Sequence, residues 1–213
     1  SFSCNDSIMA LTFDGSNNTI GGLAVGGLPD GVVQIADLGA TSGKNGPILQ
    51  IEATNVAATS SFAFTTAAAG VATPATVTIT SLQANSKFLI SGSLSGETTR
   101  DDYEVGIFLV RSIGGTATAI NVGTASGNSK AISQIKNQGY HGSNNASTTS
   151  SNSFSNYLDS PNQSAGTAIT YVIYVMGMNE SGTFYVNRTK DNSDHAGHER
   201  PSSHITVIEV AAA

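Results

Sequence analysis

From residue 48 onward, apolar and polar residues alternate along short segments that are separated by turn-forming residues. The clearest case is residues 76–80, where Val77 and Ile79 fall on one side and threonines on the other, as in a half-buried strand. No segment shows the period of an amphipathic helix, so the pattern predicts an all-β fold, either a sandwich or a jelly roll. The candidate strands are residues 48–51, 62–64, 76–80, 87–94, 103–111, 117–122, 130–135, 154–158, 169–176, 183–187 and 205–210.

The segment 169–176 differs from the other candidate strands because it is apolar on both faces. Both faces should therefore be covered, and only one of them can meet the core of a sandwich. One interpretation is that a neighbouring subunit covers the other face, which would place Tyr171, Ile173 and Val175 at a trimer interface. The alternative is a central strand that lies under a long loop of the same chain.

Residues 1–46 form a separate segment in which glycine pairs interrupt any long helix or strand. The apolar residues Ile20, Leu23, Val25 and Leu28 are too few to build a core of their own. Their spacing favours docking onto another surface, so we expect an extended anchoring segment that orders only against a partner. Residues 47–213 are then the β-domain, called the knob below.

The composition excludes several classes of protein. The chain has 213 residues, a net charge of −6 and no cluster of basic residues, whereas nucleic-acid binding requires lysine and arginine to neutralise phosphates. Cys4 is the only cysteine, so no disulfide can form within the chain. No stretch approaches the roughly 20 apolar residues of a membrane-spanning helix, and the first residues do not resemble a secretory signal. We expect neither membrane insertion nor binding to nucleic acid.

Catalytic motifs are weak or missing in this sequence. Residues 39–45 resemble a P-loop but are one residue short, and Asn45 replaces the serine or threonine that would hold magnesium. No Gly-x-Ser-x-Gly elbow is present. His195 and His198, with carboxylates nearby, are weak candidates for a metal site, and a polar loop is the favoured interpretation. We therefore expect no cofactor and no enzymatic activity.

The longest polar loop, residues 139–153, is a candidate contact surface because binding residues are often carried on loops. Tyr140 and His141 offer ring faces, while Asn144 and Asn145 offer directional hydrogen bonds. The alternative is a solvated loop whose only role is to keep the surface polar.

Two parts of the chain resemble a known family. Residues 9–15 (MALTFDG) and 20–31 (IGGLAVGGLPDG), followed by residues 157–161 (YLDSP), 169–171 (ITY), 182–188 (GTFYVNR) and 203–210 (SHITVIEV), are similar to small fibre-like structural proteins of tailed bacteriophages, especially marine and cyanobacterial ones. The resemblance implies a jelly-roll knob like the C1q and tumour-necrosis-factor heads, a homotrimer and a place in a virion. It brings no catalytic residues.

Together these observations predict a non-enzymatic structural component of a phage particle, either a fibre or a decoration protein. The N-terminal segment would attach it to other virion proteins of the capsid or tail, and the knob would be exposed on the particle surface. One alternative is a receptor-binding module that contacts a host glycan or protein. A second is a depolymerase that acts on host polysaccharide.

Overall fold

A computed structural model describes residues 12–14, 19–21, 48–99, 105–136 and 148–212, and these contain strands and turns but no helix. Accordingly, no helix in these ranges is long and apolar enough to cross a membrane. The chain divides into two units, Ser1–Asn45 and Gly46–Ala213.

The first unit contains two short antiparallel strands, β1 (Thr12–Asp14) and β2 (Thr19–Gly21), in which Phe13 pairs with Ile20. Of the four expected anchor residues, Ile20 lies in β2. Leu23, Val25 and Leu28 lie outside the described residues.

The second unit is the knob, and its described strands form two antiparallel sheets. Sheet I contains β3, β13, β6 and β10, together with the shorter β12 and β4, while sheet II contains β5, β11, β7, β8 and β9. The strands are β3 (Ile48–Val56), β4 (Ser60–Phe64), β5 (Val71–Thr80), β6 (Lys87–Thr98), β7 (Val105–Ile113), β8 (Thr116–Ile120), β9 (Gln134–Ile135), β10 (Ser150–Asp159), β11 (Ala168–Gly177), β12 (Gly182–Val186) and β13 (Ser203–Val210).

The eight principal strands pair in a nested order, with the first strand next to the last. β3 pairs with β13, β5 with β11, β6 with β10, and β7 with β8. This nesting distributes the eight strands over two four-stranded layers, which is the arrangement of a jelly roll. The predicted all-β jelly-roll fold is therefore confirmed.

The core lies between the two sheets and follows the predicted period of two. Along β5, Val77 and Ile79 are buried while the threonines between them are exposed. Phe88 and Ile90 of β6 face them from sheet I and are completely buried. Alternation along each strand therefore places one apolar layer on each side of the interior.

The expectation for β11 was wrong in its choice of residues. Tyr171, Ile173 and Val175 are 0% exposed and belong to the core of the single chain, so they cannot form an interface with a second subunit. The alternative interpretation is the correct one, because β11 lies between β5 and β7 in the middle of sheet II. Its other face is covered by the chain itself, since Met176 joins a second cluster that includes Val122 and Ile132 of the loop after β8.

The structure also changes the bounds of the polar loop. Strand β10 begins at Ser150, so residues 150–153 belong to a strand and not to the loop predicted for 139–153. Asn152 and Phe154 are both buried, although Asn152 is polar. The amide of Asn152 donates to the carbonyl oxygen of Ile135 over 2.9 Å, which compensates for its burial.

Candidate functional site

The outer face of sheet I carries four aliphatic side chains at directly paired positions. Ile208 of β13 lies opposite Ile51 of β3 on one side and Leu89 of β6 on the other. Leu89 in turn lies opposite Leu158 of β10. These four residues, here called the aliphatic row, therefore cross the full width of the sheet.

Burial along β13 shows that the row points away from the core. Ile205 and Val207 are completely buried between the sheets, whereas Thr206 and Ile208, which alternate with them, are partly exposed. At the two edges of the row the exposure is larger, 57% for Ile51 and 49% for Leu158. Single exposed aliphatic residues are normal on a protein surface, but four adjacent ones form a contiguous patch, which makes this face a candidate interaction surface.

The neighbouring outward positions on the same face are small and uncharged. Thr206 lies between Ala53 and Ser91, and His204 lies between Asn55 and Ser93. Between Lys87 and Ser93 of β6, the outward positions of the four strands carry no charged side chain other than Lys87. Glu97, further along β6, is already buried within the single chain. A partner can therefore cover this part of the face without burying a further carboxylate, which would be costly.

A buried polar group joins the two sheets beside the aliphatic row. The carboxylate of Asp159, on β10 of sheet I, accepts two hydrogen bonds from Nη1 of Arg111, on β7 of sheet II, over 2.7 and 2.9 Å. It also accepts one from the hydroxyl of Tyr171 over 2.9 Å. Burial, and then the negative charge of Asp159, raise the pKa of Tyr171, so its hydroxyl remains a donor. The group fixes β10, and with it Leu158, relative to sheet II.

A second buried carboxylate fixes the turn between β5 and β6. Glu209 of β13 is completely buried and accepts hydrogen bonds from the backbone N–H groups of Leu82 and Gln83 over 2.9 and 3.2 Å. The side chains of Gln50 and Ser81 also donate to it. Glu209 follows Ile208 in sequence, so this network holds the middle of the aliphatic row in place.

The candidate metal residues lie in an exposed loop. The rings of His195 and His198 are 5.1 Å apart between centroids. Nδ1 of His195 accepts from the N–H of Gly197 over 3.0 Å, and Nδ1 of His198 lies 3.1 Å from the hydroxyl of Ser193. Within the described parts of the chain, no three His, Cys, Asp or Glu side chains are grouped so that they could hold a metal ion.

The expected contact residues Tyr140, His141, Asn144 and Asn145 lie outside the described residues. The aliphatic row is not apparent in the sequence, because each member is a single aliphatic residue on its own strand. The signal that would reveal it is the pairing register of four strands that are distant in sequence.

Comparisons with known proteins give no family. No protein-family model matches the chain, and no curated protein matches it. Solved structures similar to this chain include three from infectious bursal disease virus: the T13 viral particle (TM-score 0.34), the VP2 subviral particle (0.32) and the Gx strain (0.29). All three are 15% identical to this chain and cover 77%, 77% and 78% of it. The chain corresponds to only 40%, 42% and 38% of their lengths, and its jelly-roll assignment rests on its own strand pairing.

Proposed function

We propose that this chain is a non-enzymatic structural protein of a tailed bacteriophage particle, in which the knob assembles as a homotrimer through the outer face of sheet I. The observation that carries the proposal is the aliphatic row of Ile51, Ile208, Leu89 and Leu158, together with the absence of carboxylates from the paired outward positions next to it. The phage assignment comes from the fibre-like motifs of residues 9–31 and 157–210.

The charge of the molecule limits which face copies of the same chain can use to associate. The net charge is −6, so copies of the chain repel one another on average. The part of sheet I around the aliphatic row adds little to this repulsion, because its outward positions are mainly aliphatic, serine, threonine and asparagine residues. Covering Ile51 and Leu158, which are about half exposed in one chain, adds apolar burial to the assembly.

The proposed interface residues accordingly differ from those expected from the sequence. Ile51, Leu89, Leu158 and Ile208 take the place of Tyr171, Ile173 and Val175, which belong to the core of one chain. A trimer is the assembly that the fibre-like motifs imply. In this proposal, the N-terminal segment attaches the trimer to other virion proteins and the knob remains on the particle surface.

Analytical ultracentrifugation of the full chain tests the assembly. The parent protein should sediment as a trimer at micromolar concentration, and the double variant Ile51→Asp/Leu158→Asp should sediment as a monomer. Leu82→Asp is the matched control, because Leu82 is 60% exposed but lies on the turn between β5 and β6. A parent protein that is monomeric, or a double variant that still forms trimers, would contradict the proposal.

Immunogold electron microscopy tests the location. Antibodies raised against the full chain should label intact phage particles. Labelling that appears only after the particles are disrupted would contradict a surface position, and absence of the protein from purified particles would contradict a virion role altogether.

A further inference from the structure

A cleft opens between the edge strands of the two sheets, away from the outer face of sheet I. Its volume is about 700 Å³, which lies within the range of roughly 300–1,000 Å³ that is usual for small-molecule sites. One wall is Tyr157 of β10 in sheet I, and the other is the end of β8 in sheet II with the loop that follows it. The lining residues that matter here are Ala119, Asn121, Val122, Ile132, Ser133 and Tyr157.

The loop that forms this cleft is held in shape without a ligand. The N–H of Gly123 donates to the carbonyl oxygen of Ile132 over 3.2 Å, which closes the loop on itself. The ammonium group of Lys130 donates to the carbonyl oxygens of Thr66 and Gly177 over 2.6 and 2.8 Å. The apolar side chains of the loop also pack on the second core cluster. A ligand would therefore meet a preformed wall and would not have to order the loop.

Three side chains give the cleft its chemistry. Tyr157 packs against the main core on one side and remains partly exposed, so it presents an aromatic surface at the edge of the cleft. Asn121 is exposed and has a left-handed backbone with φ of 53°, a conformation that asparagine tolerates well. Its amide can both donate and accept hydrogen bonds.

Ser133 supplies a polar group that lacks a partner. Its hydroxyl oxygen is buried and makes no hydrogen bond within the part of the chain that the structure describes. Buried hydroxyl groups are normally satisfied, so an unpaired one in a cleft wall calls for an explanation. Because the oxygen is buried, a ligand hydroxyl group in the cleft could satisfy it once the serine side chain turned about its Cα–Cβ bond toward the cleft.

The cleft is also uncharged, since none of the described residues that line it is acidic or basic. A phosphorylated or carboxylated ligand would find no counter-charge there. From the aromatic surface, the amide, the unpaired hydroxyl and the neutral lining, we infer that this cleft is a binding site for a neutral, polyhydroxylated ligand, namely a sugar residue of a surface glycan. This inference goes beyond the structural role and does not depend on it.

Binding in the cleft is compatible with assembly of the knob. Tyr157 and Leu158 are consecutive residues of β10, paired with Ile90 and Leu89 of β6. Ile90 is completely buried between the sheets, whereas Leu89 belongs to the aliphatic row on the outer face. The strand therefore presents its ligand-binding residue and its assembly residue in opposite directions.

The test uses the full chain and defined probes. The methyl glycosides of glucose, galactose, mannose and N-acetylglucosamine are titrated to high millimolar concentration, and binding is followed by saturation-transfer NMR. At least one of them should bind, whereas glucuronic acid and glucose 6-phosphate should not. Asn121→Gly removes the amide and keeps the left-handed backbone, so it should weaken binding about tenfold, and Tyr157→Ala by at least as much.

The controls separate a binding defect from a folding defect. Tyr185 of β12 is another partly exposed tyrosine, and its ring is stacked against the guanidinium group of Arg188. Tyr185→Ala should therefore leave binding unchanged. Asn121 is exposed and glycine accepts its left-handed backbone, so Asn121→Gly tests the cleft even if Tyr157→Ala fails to fold. Failure of all four neutral glycosides to bind, binding that survives Asn121→Gly unchanged, or a preference for the acidic sugars would overturn the inference.

Discussion

Leu89 and Leu158 lie directly opposite each other on β6 and β10, and both side chains point away from the core of the sandwich. Side chains at directly paired positions of antiparallel strands have Cβ atoms about 4.5–5.5 Å apart, close enough for two leucines to pack against each other. The pair leaves Leu158 49% exposed, so its packing is incomplete within one chain. A second copy that covers the pair would complete it.

Assembly through this face predicts that thermal stability depends on protein concentration. If copies bind the folded knob and not the unfolded chain, mass action raises the melting temperature as the concentration increases. Scanning calorimetry over a hundredfold dilution series should show this rise for the parent protein. The variant Ile208→Lys should show a melting temperature that does not change with concentration. The same flat curve for the parent would contradict assembly through the row.

The Asp159 group predicts unequal effects for its members. Tyr171→Phe removes one hydrogen bond and keeps the ring, so it should lower the free energy of unfolding by about 1 kcal/mol. Asp159→Ala leaves the Arg111 guanidinium and the Tyr171 hydroxyl without their shared acceptor and should cost about 3 kcal/mol. Urea denaturation measures both, and a loss for Tyr171→Phe as large as that for Asp159→Ala would contradict the role of Asp159 as the shared acceptor.

The buried hydrogen bonds of Glu209 predict that a small chemical change at this residue causes a large loss of stability. Glu209→Gln replaces one acceptor oxygen by an NH₂ group that faces the N–H donors of Leu82 and Gln83, so we expect a loss of about 2 kcal/mol. Glu52→Gln on the paired strand β3 is the control, because Glu52 is exposed and a change there should stay within about 0.5 kcal/mol. Equal losses in the two variants would show that the buried network contributes little.

The lowered pKa of Lys136 predicts that the stability of the protein depends on pH in the alkaline range. Burial lowers the pKa of Lys136 from 10.5 to about 8, and the negative charge of Glu97 opposes part of that decrease. Below pH 8 Lys136 is protonated in both the folded and the unfolded state, and the folded state is destabilised because its charge is buried. As the pH rises from 8 to 10.5, the folded state loses the proton first, so the contribution of Lys136 becomes less unfavourable.

The variant Lys136→Met isolates this effect. Between pH 8 and 10, the free energy of unfolding of the parent should rise relative to that of the variant by up to a few kcal/mol. Tyr171 acts in the opposite direction above pH 10, because its raised pKa keeps it protonated only in the folded state. It is present in both proteins and cancels in the difference. A constant difference over this range would show that Lys136 does not titrate there.

The alternation of apolar and polar residues was sufficient to predict the sheets. Along β5, the residues between the threonines form one buried face, as the period of two requires. The strand pairing of the jelly roll agrees with this pattern because each strand has one face for the core. The two-faced strand β11 was harder to interpret, since sequence alone does not say what covers its second face. The cover came from Val122 and Ile132, which fall in the predicted strands 117–122 and 130–135 but lie in the loop between β8 and β9.

The candidate sites depended on information that local patterns do not contain. Ile51, Leu89, Leu158 and Ile208 are far apart in the chain, and only the pairing register of four strands brings them into one row. The polar beginning of β10 was assigned to a loop because serine and asparagine usually indicate turns. Burial of Asn152 is possible there only because Ile135 and Gln134 accept its hydrogen bonds, which are tertiary contacts.

The pairing of the first knob strand with the last one also determines how the knob would respond to mechanical load. Ile48 and Val210 are register partners at the same end of the β3–β13 ladder. A pulling force applied between these two residues would open the ladder one hydrogen-bonded pair at a time, like a zipper, because the force acts at right angles to the strands. A force applied to β3 and resisted by a neighbouring subunit bound to the knob would instead act along the strands. It would then load many hydrogen-bonded pairs at once, in shear. A knob attached at its N-terminal side and held by its sister copies would therefore resist a pull that unzips the isolated domain.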